Sequence, residues 1–73
     1  MRMEPGVAKV GQRVRTLRKF AGWPNLAVGS FATVTEVVKQ EPGAETDSLL
    51  IHVDQWPDDG SIVCQSQDVE LVF

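Results

Sequence analysis

The sequence predicts a single small all-β domain, and three observations predict it. Five short segments carry β-branched residues or apolar residues alternating at a period of two. Clusters of Gly, Pro, Asn and Asp separate them. No window holds the i, i+3, i+4, i+7 apolar spacing of an amphipathic helix. Strands with regular turn signals and no helix point to a small barrel or sandwich. Closing such a sheet also removes the edges that five short strands would leave exposed.

Residues 1–8 read as a flexible lead-in with Pro5-Gly6 as a breaker pair, leaving 9–73 for the domain. After Gly11, the segment Gln12–Arg18 reads as a first strand with Val14 and Thr16 on one face and Arg13 and Arg15 on the other. Leu17 breaks that alternation, so a bulge or bend is expected there. Residues 19–29 hold two glycines, a proline and an asparagine among apolar residues, the composition of a long loop packed on itself. Ser30–Lys39 is the densest in β-branched residues and forms the second strand. A polar, acidic connection, Gln40–Asp47, leads to Ser48–Asp54, where Leu49, Ile51 and Val53 share a face. Trp56–Gly60 is a turn in which Asp59-Gly60 favours positive φ. Ser61–Ser66 is the fourth strand, Gln67-Asp68 a short 3₁₀ break, and Val69–Phe73 the last strand. The expected core is Val14, Val34, Val37, Leu49, Ile51, Val53, Ile62 and Leu71.

A chain of 73 residues makes one domain. It buries about 60% of its unfolded surface, for a net stability of about 3–5 kcal/mol. With 42% hydrophobic and 23% charged residues, disorder along the whole chain is excluded. The lone thiol, Cys64, closes no internal disulfide, whereas small secreted domains usually carry several cysteines. The start Met1-Arg2-Met3-Glu4-Pro5-Gly6 has no apolar signal region, and no apolar run approaches a membrane span. The expected location is cytoplasmic.

The net charge of −3 is unevenly placed. Six of seven basic residues precede position 20, and nine of ten acidic residues lie from Glu36 onward. This asymmetry has two readings. Either the basic half meets an acidic partner or nucleic acid, or antiparallel strands pair these charges across the sheet.

The chemistry-bearing residues are few. Cys64 and His52 are the only soft metal ligands, too few for a structural zinc site, and no metal or cofactor is expected. His52 falls on the face opposite Leu49, Ile51 and Val53. Cys64 stands between Val63 and Gln65 as a small buried hydrophobe rather than an activated nucleophile. Asp58-Asp59-Gly60 is turn chemistry, and no phosphate-loop, dinucleotide or nucleophile-elbow motif occurs. Trp23 and Trp56 each precede a proline at a loop or strand end. Tryptophan is enriched at interfaces because it covers a large area with few rotamers. Trp23 is expected to be the more exposed of the two, the alternative being that either caps the core.

The order of elements resembles that of SH3-like barrels. The residues that carry the likeness are Gly11-x-Arg13-Val14-Arg15, Gly29-x-x-Ala32-x-Val34-x-x-Val37, Leu50-Ile51-x-Val53-Asp54, Asp59-Gly60 and Asp68-Val69-Glu70-Leu71-Val72, spanning residues 9–73. The resemblance implies a five-stranded barrel with one short 3₁₀ turn before the last strand. Phe20-Ala21-Gly22 before Gly29 is similar to the KOW type of ribosomal and transcription factors. Val14-Arg15-x-Leu17-Arg18-Lys19 with Trp23, Asn25 and Val28-Gly29 is similar to the SH3-like accessory subunit of photosystem I and its electron-transport relatives. The chain departs from both in its acidic loop Glu41–Asp47 and lacks the Tyr- and Asn-rich segment of the latter. One SH3-like enzyme, the plasmid-type dihydrofolate reductase, uses a Val-Gln-Ile-Tyr stretch in a tetramer. Here the matching strand reads Ile62-Val63-Cys64-Gln65, and the chain has no tyrosine.

The functional expectation is a non-catalytic module that docks a protein partner, with an acidic or extended segment, through the 19–29 loop. The expected binding residues are Arg15, Arg18, Lys19, Phe20, Trp23, Pro24 and Trp56. In SH3-like barrels the equivalent loop borders a groove for extended ligands, which is what the resemblance implies here. The alternatives are nucleic-acid binding through the basic first strand and an enzyme assembled in an oligomer. A monomer or weak homo-oligomer without membrane contact is expected.

Overall fold

Alternation and β-branched density set the strands of the computed structural model, which describes residues 1–73. They are β1 (Arg13–Thr16), β2 (Phe31–Lys39), β3 (Ser48–Val53), β4 (Ser61–Gln65) and β5 (Val69–Leu71), with a 3₁₀ turn at Ser66–Asp68. All pairings are antiparallel, in one sheet of order β4-β3-β2-β1-β5. The all-β class, the five strands and the 3₁₀ turn before the last of them follow the sequence expectation. No helix is long and apolar enough to cross a membrane.

This order has a geometric consequence. In a flat sheet, β4 and β5 would lie four strand spacings apart, at least about 19 Å. Only the three residues of the 3₁₀ turn join them, and these advance about 2 Å each. The sheet therefore curls until its two edges approach at Ser66–Asp68. Asp68 caps that turn, its Oδ2 accepting the Gln65 N–H at 3.0 Å. No ladder joins β4 to β5.

The bend is built into β2. Its register against β3 shifts between Val34 and Glu36 and again between Val37 and Lys39. Thr35 and Val38 are the extra residues, and each reverses which parity faces inward. That is how Val34 and Val37, three residues apart, both reach the core side. The irregularity expected at Leu17 is not found there. Leu17 lies just past the end of β1 and donates its N–H to Asp68 O at 2.8 Å.

Inward residues meet in rows across the sheet: Val14, Ala32 and Val53; Val34, Ile51 and Ile62; Val37, Leu49 and Cys64. Of the eight expected core residues, six are buried, while Val37 and Leu71 are partly buried against the cluster. Leu26 and Phe20, from the 19–29 loop, join them.

The N-terminal segment differs from the expected lead-in. Met3 is 3% exposed and Ala8 6%, and both belong to the core cluster. Met3 N–H bonds to Val69 O at 2.8 Å, and Gly6 N–H to the buried Asp47 Oδ2 at 2.8 Å. A domain boundary at residue 8 would cut through this packing. An apolar Met and Ala amid polar neighbours gave no periodic signal, because the segment packs without being a strand.

The expected positive φ at Gly60 is also absent; Gly6, Gly11, Gly29 and Gly43 have it instead. Gly60 serves closeness of approach. A Cβ there would lie 2.5 Å from Trp56 O and 2.8 Å from Val53 O.

Candidate functional site

The two Trp-Pro steps come from different loops and converge. Trp23 sits in the 19–29 loop, which turns tightly: Trp23 N–H bonds to Phe20 O at 3.0 Å and Leu26 N–H to Trp23 O at 3.1 Å. Buried Leu26 and Phe20 anchor that turn on the core. Trp56 sits in the β3–β4 connection, where Asp59 N–H bonds to Trp56 O at 3.3 Å. The missing side chain of Gly60 lets its backbone lie against the carbonyls of both Trp56 and Val53. The indole rings stack with centroids 5.3 Å apart and a 37° tilt. The separation lies within the range of favourable aromatic pairs.

Polar contacts tie the same surface together. Gln55 Nε2 reaches Asn25 O at 3.5 Å, linking the two loops. Lys19 Nζ donates to Pro24 O at 3.3 Å. A ring nitrogen of His52 lies 3.0 Å from Pro57 O. Lys19, Pro24 and Pro57 are exposed, while each tryptophan is half-buried and packed on the core. The single buried polar side-chain atom without a partner is Asp47 Oδ1, and neither indole N–H is hydrogen-bonded within the chain.

The structure thus brings Lys19, Trp23, Pro24 and Trp56 together at the surface, turns the neighbouring Phe20 side chain into the core, and pairs Arg15 and Arg18 with carboxylates. Phe20 is 7% exposed and belongs to the core, with the Arg18 guanidinium 4.9 Å above its ring. Trp23, expected as the more exposed of the two, is half-buried like Trp56 and stacked on it. Arg15 lies on the outer face of β1 opposite Phe31 of β2 and Glu70 of β5.

The basic first strand is largely neutralised within the fold. Arg13 makes paired bonds to Asp54, 2.9 and 2.6 Å long. Arg15 Nε donates to Glu70 Oε1 at 2.8 Å, and Arg18 Nε to Asp68 Oδ1 at 2.6 Å. Of the two readings of the charge asymmetry, cross-sheet pairing is the one these contacts display. The electrostatics agree. The hydrogen bond from Arg13 holds the Asp54 carboxyl below its usual range. Bonds from the N-terminal ammonium and Arg15 do the same for Glu70.

Cys64 is buried, and burial, followed by the nearby Asp68 charge, pushes its thiol up to about 12. It is a packed side chain with little thiolate character.

The concave parts of the surface lie elsewhere. A cleft of about 480 Å³ runs between Pro5-Gly6 and Gln40–Ala44, and another of about 300 Å³ lies between the N-terminal segment and β5. Neither includes a tryptophan. The Trp pair is a shelf, a shape suited to an extended chain and ill suited to enclosing a small molecule. Pro57 and Gln55 were not among the residues expected from sequence. The repeated Trp-Pro dipeptide was the available signal for Pro57, since it places both prolines at one shelf once the indoles meet.

Compared with family models, curated proteins and solved structures, the chain matches none.

Proposed function

We propose that this chain is a non-catalytic SH3-like binding module that docks an extended protein segment across the Trp23–Trp56 shelf. The observation that carries the reading is the stacked indole pair: two large rigid side chains from separate loops, half-buried at the surface, with neither indole N–H bonded within the chain. Rigid aromatics give large contact area at low entropic cost, and an indole N–H beside a flat ring suits a backbone carbonyl. Extended or proline-rich segments arrive already ordered and lose little entropy on docking.

The barrel assignment draws support from the strand order, the long β1–β2 loop and the 3₁₀ turn before β5. Fold alone does not license function, so the proposal rests on the shelf. The arginine pairs shift the expected partner chemistry. With Arg15 and Arg18 bonded to Glu70 and Asp68, the exposed cation beside the shelf is Lys19. An acidic residue in the partner meets Lys19 and contributes to encounter rate more than to affinity. A cytoplasmic setting belongs to the same proposal.

The test is selection of binding segments from a displayed peptide library on the intact chain. Binding of the selected segments is then compared between the native chain and Trp56→Ala, with circular dichroism confirming that the variant folds. The proposal expects selected segments to lose at least tenfold in affinity with Trp56→Ala, and single-stranded oligonucleotides not to compete. Equal binding by both chains, or competition by oligonucleotides that fades steeply with salt, would overturn it.

A further inference from the structure

The curled sheet has two edges, and the fold treats them differently. The outer side of β5 is met by the N-terminal segment, with Met3 N–H bonded to Val69 O at 2.8 Å. The outer side of β4 is met by nothing over its first half. The alternation of bonded pairs in an antiparallel ladder fixes which groups point there. Val53 N–H bonds to Gly60 O, and Ser66 N–H to Asp47 O, at either end of the β3–β4 ladder. With Ile51 opposite Ile62 and Leu49 opposite Cys64, residues 60, 62, 64 and 66 face β3. Ser61, Val63 and Gln65 face away. Gln65 is taken up by the 3₁₀ turn, its N–H bonded to Asp68 Oδ2. The N–H and C=O groups of Ser61 and Val63 have no partner in the chain.

Proteins usually block such an edge with a lysine, a proline, a bulge or an inward charge. The β4 sequence Ser-Ile-Val-Cys-Gln has no charge and no proline, and its pairing with β3 is regular throughout. Val63 is 64% exposed on the outer face, beside Leu50 of β3.

We propose that β4 pairs antiparallel with β4 of a second copy of this chain, about a two-fold axis at Ile62. That register sets Ser61 of each copy opposite Val63 of the other. Each pair exchanges both N–H···O=C bonds, so every free outward group of the two residues is used. On the outer face, Val63 of one copy sits diagonally across the axis from Val63 of the other, about 7–8 Å away. With Leu50 from each β3, they form one apolar strip.

Charge selects a second copy as the occupant. The antiparallel register carries the Trp56–Gly60 turn of each copy past the 3₁₀ turn of the other. Asp58 and Asp59 in the first are exposed and in no ion pair. Beside the second lies Arg2, which reaches Gln67 Oε1 at 3.4 Å and has no carboxylate partner. The two-fold axis makes this contact twice. The nearest acid on the outer face, Glu36, stands two strands in from the edge, so the two copies of it lie about 24 Å apart. At physiological salt that separation is screened. The strand pair is too short to reach the 1,200 Å² or so of a stable interface. The association is therefore weak, with a dissociation constant between roughly 10 μM and 1 mM.

Sedimentation equilibrium of the unmodified chain over that concentration range tests it. The weight-average mass should rise from 8.0 kDa toward twice that value. Amide exchange at Ser61 and Val63 should slow as concentration rises, while exposed loop amides stay unchanged. Val63→Lys, at an exposed side chain, should hold the mass at the monomer value with an unchanged melting temperature. A constant monomer mass, growth beyond a dimer, a dimer that survives Val63→Lys, or exchange at Ser61 and Val63 that ignores concentration would each overturn the proposal. The exchange measurement needs no variant, so a folding defect in Val63→Lys leaves the test intact.

Discussion

Replacing Gly60 with alanine probes the contact that joins the fold to the candidate site. The new Cβ would lie 2.5 Å from Trp56 O, 2.8 Å from Val53 O and 2.9 Å from Val53 Cγ2. Two of the three atoms are backbone, so no rotamer change relieves the clash. Either the Trp56–Gly60 turn lifts or the Val53 N–H to Gly60 O bond, 3.0 Å long, stretches. Overpacking of this kind costs about 1–3 kcal/mol. Against a total of about 3–5 kcal/mol for a domain of this size, the melting temperature should fall by about 5–20 °C. The turn carries Trp56, so the indole stack should be disturbed as well. Thermal melts followed in the far ultraviolet report the first effect, and the near-ultraviolet tryptophan spectrum reports the second. Gly29→Ala is the control. Gly29 has φ near +89° and no atom closer than 4.0 Å to the added Cβ, so its cost is conformational only, about 1–2 kcal/mol. Gly29→Ala should lower the melting temperature and leave the near-ultraviolet spectrum of the folded chain alone. A Gly60→Ala protein with an unchanged melting temperature and spectrum would refute the close approach.

Three further outcomes follow from the same contacts. Ile51, fully buried between Val34 and Ile62, should cost about 2–5 kcal/mol on change to alanine, leaving much of the chain unfolded at room temperature in a urea titration. The carboxyls of Asp54 and Glu70 sit below their usual range in the folded chain. Their stabilisation is therefore complete above the unfolded values, about pH 4, and is lost as pH falls through the folded ones. Asp54→Asn and Glu70→Gln should flatten the acid limb of melting temperature against pH. Cys64, buried with its thiol raised to about 12, should react with an alkylating reagent at pH 8 at least about a hundredfold more slowly than in urea, the limit being set by global unfolding; equal rates would place the thiol at the surface.

The strands were legible because their cause is local. In β3, three apolar residues at alternate positions lie between polar clusters, and the structure buries those three. The bulges of β2 were half legible. Val34 and Val37 both read as core, yet at a period of two they cannot share a face without an extra residue between them. Leu17 drew the bulge because it breaks an alternation, but a strand that simply ends breaks alternation too. The N-terminal segment was misread for a related reason: Met3 and Ala8 reach the core through long-range contacts to β5 and Asp47, and distant contacts leave no periodicity.

The site was legible in its aromatics and misleading in its charges. A Trp-Pro step in each of two loops was visible, and the loops do meet. The arginines stood out for the opposite reason. They are clustered in sequence because one strand and the residues just past it carry them, and their carboxylate partners are scattered at 54, 68 and 70. Clustering along the chain resembles a basic patch until the register is known. Phe20 was assigned to the surface for its neighbours in the loop; its side chain and that of Leu26 both join the core instead.

Tryptophan emission gives the most direct measurement of the central claim. The chain has two tryptophans, both in the shelf, and no tyrosine. An extended segment selected on the native chain should shift the emission as it is titrated in, saturating at one segment per chain, with affinity that changes little between low and high salt. Saturable binding measured by calorimetry with no change in emission would place the segment elsewhere and contradict the shelf as the binding surface.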